Sequence, residues 1–384
     1  KAGYEASGYE SIELFPKKNK TYLINASKKI DRWLRLTKQK GFKSCIVVIP
    51  YEMQISQDAK NYYQSVNIKF EDNFEIPPVK NMNTENVINV YEGMRHFFPT
   101  YQENSEKTTL APKLENILDD FEALLLDAFG VLNTGSTLIP GIVKTLNIAR
   151  EKNITLLVVT NGASNNSYKK REQLSSLGLE FSDEEIISSR EAAEIFLSYN
   201  QPEGPLGVMG NIGDDLNIPN LNCIELEQDY LMFEEMNSFI LLGTLQWDTV
   251  WQEILFNSLK ENPRPLFVAN PDLVAPHEEK FSIEPAYYVS HLVKNGIHLP
   301  FWLGKPFPTI FELAMNRINE LSGRHIPLSK IGMVGDTLHT DILGANSFGL
   351  KSILMTKHGL LKNTNVGKMI KHTNIIPDYI VESP

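Results

Sequence analysis

The sequence is poor in cysteine, in long apolar runs and in net positive charge, and each shortage excludes a class of protein. Its two cysteines, Cys45 and Cys223, lie far apart in or beside strand-like runs, with no cysteine or histidine at metal-binding spacing. This pattern favours two buried thiols in a reducing compartment over a single disulfide. No apolar run approaches the roughly 18–20 residues that a membrane helix needs. The net charge of −10 argues against nucleic acid as a main partner.

Two short basic strings are the exceptions to this acidic balance. They are KKNK at 17–20 and KKR at 169–171, and we expect both to lie on solvent-exposed faces. We therefore predict a cytoplasmic protein that has neither a membrane nor a nucleic acid as partner.

The length of 384 residues is enough for two or three domains. The chain begins with Lys1 and shows no signal-peptide pattern, which indicates a processed or truncated product. A strand-like run at 44–50, preceded by a helix-like stretch, predicts an accessory α/β segment, whole or partial, over residues 1–110. The polar, proline-containing stretch 99–113 is predicted to be a linker.

Regular alternation of strand-like and helix-like stretches begins near residue 120. Repeated strand–helix units with continuous apolar strands predict an α/β fold with a parallel sheet covered on both faces. We predict a Rossmann-like core over residues 115–202 and 296–384, interrupted by an inserted α/β cap over residues 203–295. Ligands of such sheets bind beyond the carboxyl ends of the strands, and a cap inserted there would lie over the crevice.

Polar side chains follow three of the predicted core strands. Asp127 ends LLLD, Thr160 ends ITLLVVT, and Asp336 follows KIGMVG with Asp341 five residues later. Carboxylates that meet at one point cannot all stay ionised without a cation, and an open site of oxygen ligands suits Mg²⁺. Lys305, in LGKPFP, adds a fixed positive charge. A carboxylate nucleophile, a metal, a hydroxyl and a lysine together suit phosphoryl transfer.

These motifs resemble those of the haloacid dehalogenase-like (HAD) superfamily. The four motifs of that family appear in order between residues 120 and 360, as DAFGVL, VVTNG, GKPFP and GDTLHTD. The stretches GVLNTG, NNSYKKREQLSSLG and LFVANPD are similar to class IIA, the NagD/4-nitrophenylphosphatase-like group with a large α/β cap. The resemblance implies a Mg²⁺-dependent hydrolase of small phosphate monoesters, and a homodimer is a further expectation.

The resemblance also implies a role for each motif residue. Asp127 would attack phosphorus and form an aspartyl-phosphate, while Thr160 and Lys305 would hold the phosphoryl oxygens. The Mg²⁺ ligands would be Asp127, the backbone carbonyl of Phe129, Asp336 and Asp341. The substrate-binding residues would be Asn161, Gly162, Asn270 and Asp272, the last two at the junction of cap and core.

Phe129 departs from the family's pattern, because phosphatases of this type carry at that position an aspartate that acts as general acid and base. Such a group contributes roughly 10²–10⁴ in rate, and phenylalanine cannot transfer a proton. One hypothesis is a slow or selective phosphatase in which a cap residue such as Asp272 supplies the proton. A second is a non-catalytic HAD-fold protein for binding or assembly. A third is a C–halogen hydrolase, since DAFGVL is similar to the DAYGTL of 2-haloacid dehalogenases, although those enzymes do not need Mg²⁺.

Two weaker expectations concern histidines and the N-terminal part of the chain. His339, inside the fourth motif, is expected to be an exposed loop residue. The stretch from VVIPYEM onwards faintly resembles SGNH-type hydrolases but lacks their nucleophile block, so an accessory role is the simpler interpretation.

Overall fold

The structure, a computed structural model, describes residues 83–101, 108–210, 215–244, 247–277, 281–297 and 300–384. These residues belong to one unit that spans residues 71–384. Most of the predicted accessory segment, including the strand-like run at 44–50, the SGNH-like stretch and Cys45, lies outside the described residues.

Ten α-helices lie in the described part of the chain. They are α1 (Thr84–Gly93), α2 (Ile142–Glu151), α3 (Ser167–Ser176), α4 (Ser189–Tyr199), α5 (Tyr230–Glu234), α6 (Thr249–Glu261), α7 (Pro285–Lys294), α8 (Pro308–Ser322), α9 (Leu343–Phe348) and α10 (Val366–Thr373). A π-helical turn, Leu338–Ile342, leads directly into α9. None of these described helices has both the length and the apolarity that crossing a membrane requires.

Sixteen β-strands accompany these helices within the same residues. They are β1 (Thr109–Lys113), β2 (Ala123–Leu126), β3 (Asn133–Thr134), β4 (Thr137–Leu138), β5 (Thr155–Thr160), β6 (Ile186–Ser188), β7 (Leu206–Met209), β8 (Cys223–Glu225), β9 (Ser238–Leu241), β10 (Leu266–Val268), β11 (Val274–Pro276), β12 (Phe281–Ile283), β13 (Phe301–Trp302), β14 (Ile331–Gly335), β15 (Lys351–Met355) and β16 (Tyr379–Ser383).

The central sheet has seven strands in the order β1-β16-β15-β14-β2-β5-β6, and all of its pairs are parallel. The predicted α/β fold with a parallel sheet is confirmed. On one side of β2 the sheet continues with β5 and β6, which come next in the chain among the strands of this sheet. On the other side it continues with the later strands β14, β15 and β16. The sheet therefore has its topological switch point at β2, which is where ligands bind in folds of this kind.

Strand β2 is buried on both faces of the central sheet, as its continuous apolar sequence predicts. Leu124 and Leu126 pack in one hydrophobic cluster, whereas Ala123 and Leu125 pack in another on the opposite face. The apolar run is interrupted at Asp127, whose side chain lies at the polar edge of the sheet, and Ala128 packs in the first cluster again.

A second parallel sheet, in the order β13-β10-β9-β7-β8, is built from the chain between β6 and β14. Four of its strands, β7 to β10, lie within residues 203–295, the range predicted for the inserted cap. The fifth, β13, lies beyond residue 295, and the predicted domain boundaries stay a prediction. Cys223 in β8 is a free and half-buried thiol rather than a fully buried one.

The predicted linker is wrong over Thr109–Lys113, which forms β1 and pairs in parallel with β16 at the edge of the central sheet. Four of the five residues of β1 are exposed. An edge strand of this kind is held by backbone hydrogen bonds and needs no apolar alternation, so the sequence carries little signal for it.

Candidate active site

Three neighbouring strands of the central sheet place the predicted polar residues at one edge. Thr160 ends β5, Asp127 follows β2, and Asp336 follows β14, and these strands are hydrogen-bonded neighbours in the order β14-β2-β5. The Asp127 amide still donates to the carbonyl of Val334, at 3.0 Å, so the backbone of Asp127 remains fixed by the sheet. Because parallel strands end at the same edge, the three side chains converge.

Lys305 links two of the carboxylates. Its Nζ lies 2.6 Å from Asp127 Oδ1 and 2.7 Å from Asp341 Oδ1. The Lys305 and Asp341 side chains are each 1% exposed, whereas Asp127 is 14% exposed and is therefore the carboxylate that a substrate can reach. Ligand oxygens of Asp127, Asp336 and Asp341 all lie within 4.8 Å of one another.

Backbone and hydroxyl donors hold the two carboxylates of the fourth motif in place. Asp336 accepts from the Leu360 amide at 2.6 Å and from Thr337 Oγ1 at 2.9 Å. Asp341 accepts from the Thr337 amide at 3.1 Å. Three glycines make room for these side chains, since a Cβ at Gly130 or Gly359 would overlap Asp336 and one at Gly335 would overlap Asp341. A positive φ of +84° at Gly130 adds a backbone reason for glycine there.

The electrostatics of this cluster are those of a cation site. Burial, followed by the charges of the neighbouring carboxylates, raises the pKa of Asp336 to about 8 and that of Asp341 to about 6. Burial alone would lower the pKa of Lys305, but the charges of Asp127 and Asp341 outweigh it and raise this pKa. Lys305 therefore pairs with two of the three carboxylates, and the oxygen donors of all three fit a hard divalent cation such as Mg²⁺.

Asn161, predicted to bind substrate, is 1% exposed. Its side chain joins the second motif to the third through hydrogen bonds to the backbone of Lys305. Its Oδ1 accepts from the Lys305 amide at 2.7 Å, and its Nδ2 donates to the Lys305 carbonyl at 3.0 Å and to Asp272 Oδ1 at 2.8 Å. Ser189 Oγ donates to the Asn161 carbonyl at 2.6 Å. The Asn161 side chain thereby positions Lys305, while its contact with substrate stays a prediction.

Gly162, also predicted to bind substrate, lies next to Thr160 of the second motif. Its amide donates to Thr160 Oγ1 at 3.2 Å.

Asn270 and Asp272 come from the loop after β10 of the second sheet, and the structure brings them to the same crevice. Asn270 Oδ1 accepts from the Asp272 amide at 2.9 Å, and its Nδ2 donates to Glu284 at 3.0 Å. Burial, aided by the charges of Asp127 and Asp341, raises the pKa of Asp272 well above its usual range. Asp272 is therefore a buried carboxyl group that holds a proton more readily than an exposed aspartate does.

Phe129 has no group that transfers protons, and a buried lysine lies against it. The Nζ of Lys170 lies 5.8 Å from the centroid of the Phe129 ring, and the His277 ring lies 6.0 Å away with its own centroid. Lys170 is 7% exposed, so the prediction that KKR is a solvent-exposed string is wrong at this residue. The signal was present in the sequence, because Lys170 precedes the buried Leu174 by four residues and shares its helix face.

His339 is fully buried, and the prediction that it is an exposed loop residue is wrong. Its ring stacks on Tyr91 of α1, with centroids 4.7 Å apart and planes 8° apart, and its Nε2 lies 2.6 Å from Glu92 Oε1. Tyr91 Oη accepts from the Leu273 amide at 3.1 Å, next to Asp272. Thr84 Oγ1 donates to the carbonyl of Leu360, whose amide holds Asp336. Helix α1 therefore supports both the fourth motif and the loop that carries Asp272.

Sequence reasoning missed Tyr91 and Glu92 of α1 as well as Lys170 and Glu284. The apolar spacing of Val87, Ile88, Val90 and Tyr91 predicts that α1 buries one face. Nothing in that spacing indicates which part of the chain covers this face.

Two family models match this chain on either side of the second sheet. A haloacid dehalogenase-like hydrolase model matches residues 124–219, and a HAD-hydrolase-like model matches residues 302–383. The first contains Asp127 and Thr160, and the second contains Lys305, Asp336 and Asp341. Over these two ranges the chain is similar to haloacid dehalogenase-like hydrolases. Helix α1 lies upstream of both matches, so the contacts of Tyr91 and Glu92 are additions to the HAD motifs.

Among the known proteins that this chain resembles in sequence or fold are several phosphatases. Phosphoglycolate phosphatase 2 of Arabidopsis thaliana is 27% identical over 297 residues, which cover 70% of this chain and 95% of the relative. A solved structure from Cytophaga hutchinsonii, described as a possible sugar phosphatase, is 26% identical with a TM-score of 0.64, covering 72% of this chain and 98% of that one. NagD of Escherichia coli K-12 has the same fold at 21% identity and a TM-score of 0.52, covering 68% and 96% of the two chains.

Proposed function

We propose that this HAD chain is a phosphatase that hydrolyses small phosphate monoesters through an aspartyl-phosphate on Asp127. The observation that carries the proposal is the convergence of Asp127, Asp336 and Asp341 with Lys305 at the switch point of the sheet. The relatives named above as phosphatases support the same reaction class.

In the first step an Asp127 carboxylate oxygen attacks phosphorus, the bond to the ester oxygen breaks, and the leaving alkoxide takes up a proton. Thr160 Oγ1 and Lys305 Nζ would hold the phosphoryl oxygens. Water would then attack phosphorus, the bond from phosphorus to the Asp127 oxygen would break, and the water would give its proton to the Asp272 carboxylate that the first step left behind. The residues that would hold Mg²⁺ are Asp127, Asp336, Asp341 and the backbone carbonyl of Phe129. When bound, this ion would neutralise the carboxylates and the charge of the transferring phosphoryl group.

The proton for the leaving group is assigned to Asp272, because Phe129 cannot provide it. Asp272 Oδ1 already accepts from Asn161, which leaves the second carboxyl oxygen to carry the proton. Its raised pKa keeps that proton bound to a higher pH than an exposed aspartate would allow.

Asp272→Asn is expected to lower kcat on an alkyl phosphate by about 10–10²-fold, and to lower it less on 4-nitrophenyl phosphate, whose leaving group needs little protonation. For the wild type, the rate on the alkyl phosphate should fall as the pH rises through the raised pKa of Asp272, because only the protonated form donates. The variant should lose this fall in its kcat–pH profile. Equal losses on both substrates, with an unchanged profile, would assign Asp272 a structural role instead.

The experiment that tests the phosphatase proposal is steady-state hydrolysis of 4-nitrophenyl phosphate with Mg²⁺, after chelation with EDTA, and after Mg²⁺ is restored. We expect turnover that disappears on chelation and returns with the ion. Calorimetric titration of Mg²⁺ into the wild type and into Asp336→Asn should show that the variant binds the ion more weakly. No turnover above an enzyme-free control at millimolar Mg²⁺ would reject the proposal.

A second candidate function is binding or assembly without turnover, and Phe129 is the observation that favours it. A chain that kept the fold for this purpose would still bind phosphate esters at Lys305 and Thr160, yet it would release them unchanged. The C–halogen hydrolase hypothesis is disfavoured by the buried pair Asp336 and Asp341, which that reaction does not require.

A further inference from the structure

Helix α3 carries an inward-facing lysine that the proposed reaction does not use. Its buried residues are Lys170 and Leu174, which lie one turn apart. Leu174 packs in the hydrophobic cluster on one face of the central sheet, whereas Lys170 points toward the crevice. Burying an ammonium group is costly unless a partner neutralises it, so an inward lysine at this position calls for an explanation.

No described residue accepts a hydrogen bond from Lys170 Nζ, and no described carboxylate lies within ion-pair distance of it. The two acids that act on it electrostatically are Asp127 and Glu284. Asp127 already pairs with Lys305, and Glu284 already accepts from Asn270 at 3.0 Å and from Ser282 Oγ at 2.7 Å. The three donors of the ammonium are therefore uncommitted.

The surroundings of Lys170 place these donors on the leaving-group side of the nucleophile. The Nζ lies over the ring of Phe129, two residues after Asp127, at the position from which the family's general acid serves the leaving group. It also lies 3.3 Å from the point where a Cβ on Gly162 would be, and that point is 3.5 Å from Thr160 Oγ1. The absence of a side chain at Gly162 leaves the ammonium open toward Thr160.

The two lysines of the site therefore differ in what they can do. Lys305 already donates to two carboxylates, which leaves one donor for the phosphoryl group, whereas all three donors of Lys170 are available for a ligand. An anion that reaches Lys170 gains charge-assisted hydrogen bonds in a buried place, where they are strong.

We propose that Lys170 binds an anionic group on the leaving-group part of the substrate, so that the preferred substrates are phosphate monoesters that carry a second negative charge close to the ester oxygen. This inference rests on the proposed phosphatase function. The second charge is a carboxylate or a second phosphate, and both would be bound by the same ammonium donors.

The test uses a matched pair of substrates, 2-phosphoglycolate and its uncharged amide, 2-(phosphonooxy)acetamide. We expect the wild type to favour the carboxylate over the amide in kcat/KM by about 10–100-fold, the range for a hydrogen bond to a charged group. Lys170→Met should remove most of this preference, and Lys170→Arg should retain much of it. Lys169→Met, the same change one residue earlier in α3, is the matched control and should keep the wild-type ratio.

Three outcomes would overturn the inference. They are a wild type with no preference for the charged substrate, a Lys170→Met variant that keeps the preference, and a Lys170→Met variant that loses activity equally on both substrates. The last of these would place Lys170 on the phosphoryl group. In each case turnover of 4-nitrophenyl phosphate would still stand as support for the phosphatase function.

If no substrate is turned over, the phosphatase proposal fails, and calorimetric binding of 2-phosphoglycolate decides the inference separately. Binding to the wild type at least 10-fold tighter than to Lys170→Met would support it, by the same range for a charged hydrogen bond. Equal binding, or none to the wild type, would overturn it. Thermal unfolding without ligand is a further readout, because removing an unpaired buried charge should leave Lys170→Met as stable as the wild type or more so.

Discussion

Asp127→Asn is expected to reduce kcat for 4-nitrophenyl phosphate by about 10⁴-fold or more, to the level of the enzyme-free control. The amide cannot attack phosphorus, and the good leaving group of this substrate ensures that proton donation does not hide the loss. The fold should survive the change, because Lys305 keeps its second carboxylate partner, Asp341, at 2.7 Å. Steady-state kinetics with millimolar Mg²⁺, together with thermal unfolding of both proteins, measure the two effects.

The matched control is Asp119→Asn, which changes a carboxylate that is 86% exposed and pairs with Lys152 at the surface. It should leave kcat unchanged, since exposed ion pairs contribute little and Asp119 lies outside the site. Retention of a substantial part of the activity by Asp127→Asn would show that another group is the nucleophile, and the aspartyl-phosphate would have to be abandoned.

Phe129→Asp is expected to raise kcat on an alkyl phosphate by about 10²-fold, within the range that a positioned general acid and base provides. The introduced carboxyl group would stand beside the Lys170 ammonium, so the substitution would not leave an unpaired buried charge. The gain on 4-nitrophenyl phosphate should be smaller, since its leaving group departs without a proton. Parallel kinetics on the two substrates test this difference.

Phe129→Asn is the matched control, because it has the shape of the aspartate but cannot act as an acid or a base. An equal gain from both variants would point to relief of crowding by the ring instead of proton transfer. No gain from Phe129→Asp would mean that Asp272 already supplies the proton at a sufficient rate. The new carboxylate would also pair with Lys170, and Lys170 would then be less available to the carboxylate of 2-phosphoglycolate. The gain in kcat should therefore be larger on 2-(phosphonooxy)acetamide, which has no such carboxylate.

Helix α1 gives the candidate site a support that lies outside both family-model matches. Its Tyr91 and Glu92 hold His339, two residues before Asp341, and Tyr91 also binds the backbone next to Asp272. The described part of the segment that precedes the core is therefore joined directly to the fourth motif.

The central fold could be predicted because its signals are local. The apolar runs of β2, β5 and β14 and the glycines that follow them are features of single short stretches, and their order along the chain matches the HAD motifs. The pairing of those stretches into a parallel sheet also explains why Asp127, Thr160 and Asp336 converge, since parallel strands end at one edge. Phe129 could be recognised as a departure from the same local pattern.

Burial and pairing of individual charges depended on the tertiary structure. Lys170 and His339 belong to polar strings that are typical of solvent-exposed segments, yet both side chains are buried, Lys170 over the ring of Phe129 and His339 against α1. Edge strand β1 is likewise held by backbone hydrogen bonds to β16, and these impose no pattern on its side chains that the sequence could show. By itself the sequence determined the sheet, the order of the motifs and the missing acid at position 129. Only the folded chain decided that Lys305 pairs with carboxylates and that Lys170 pairs with none of the described ones, because ion pairs form between residues that are far apart in sequence, such as Lys305 and Asp127.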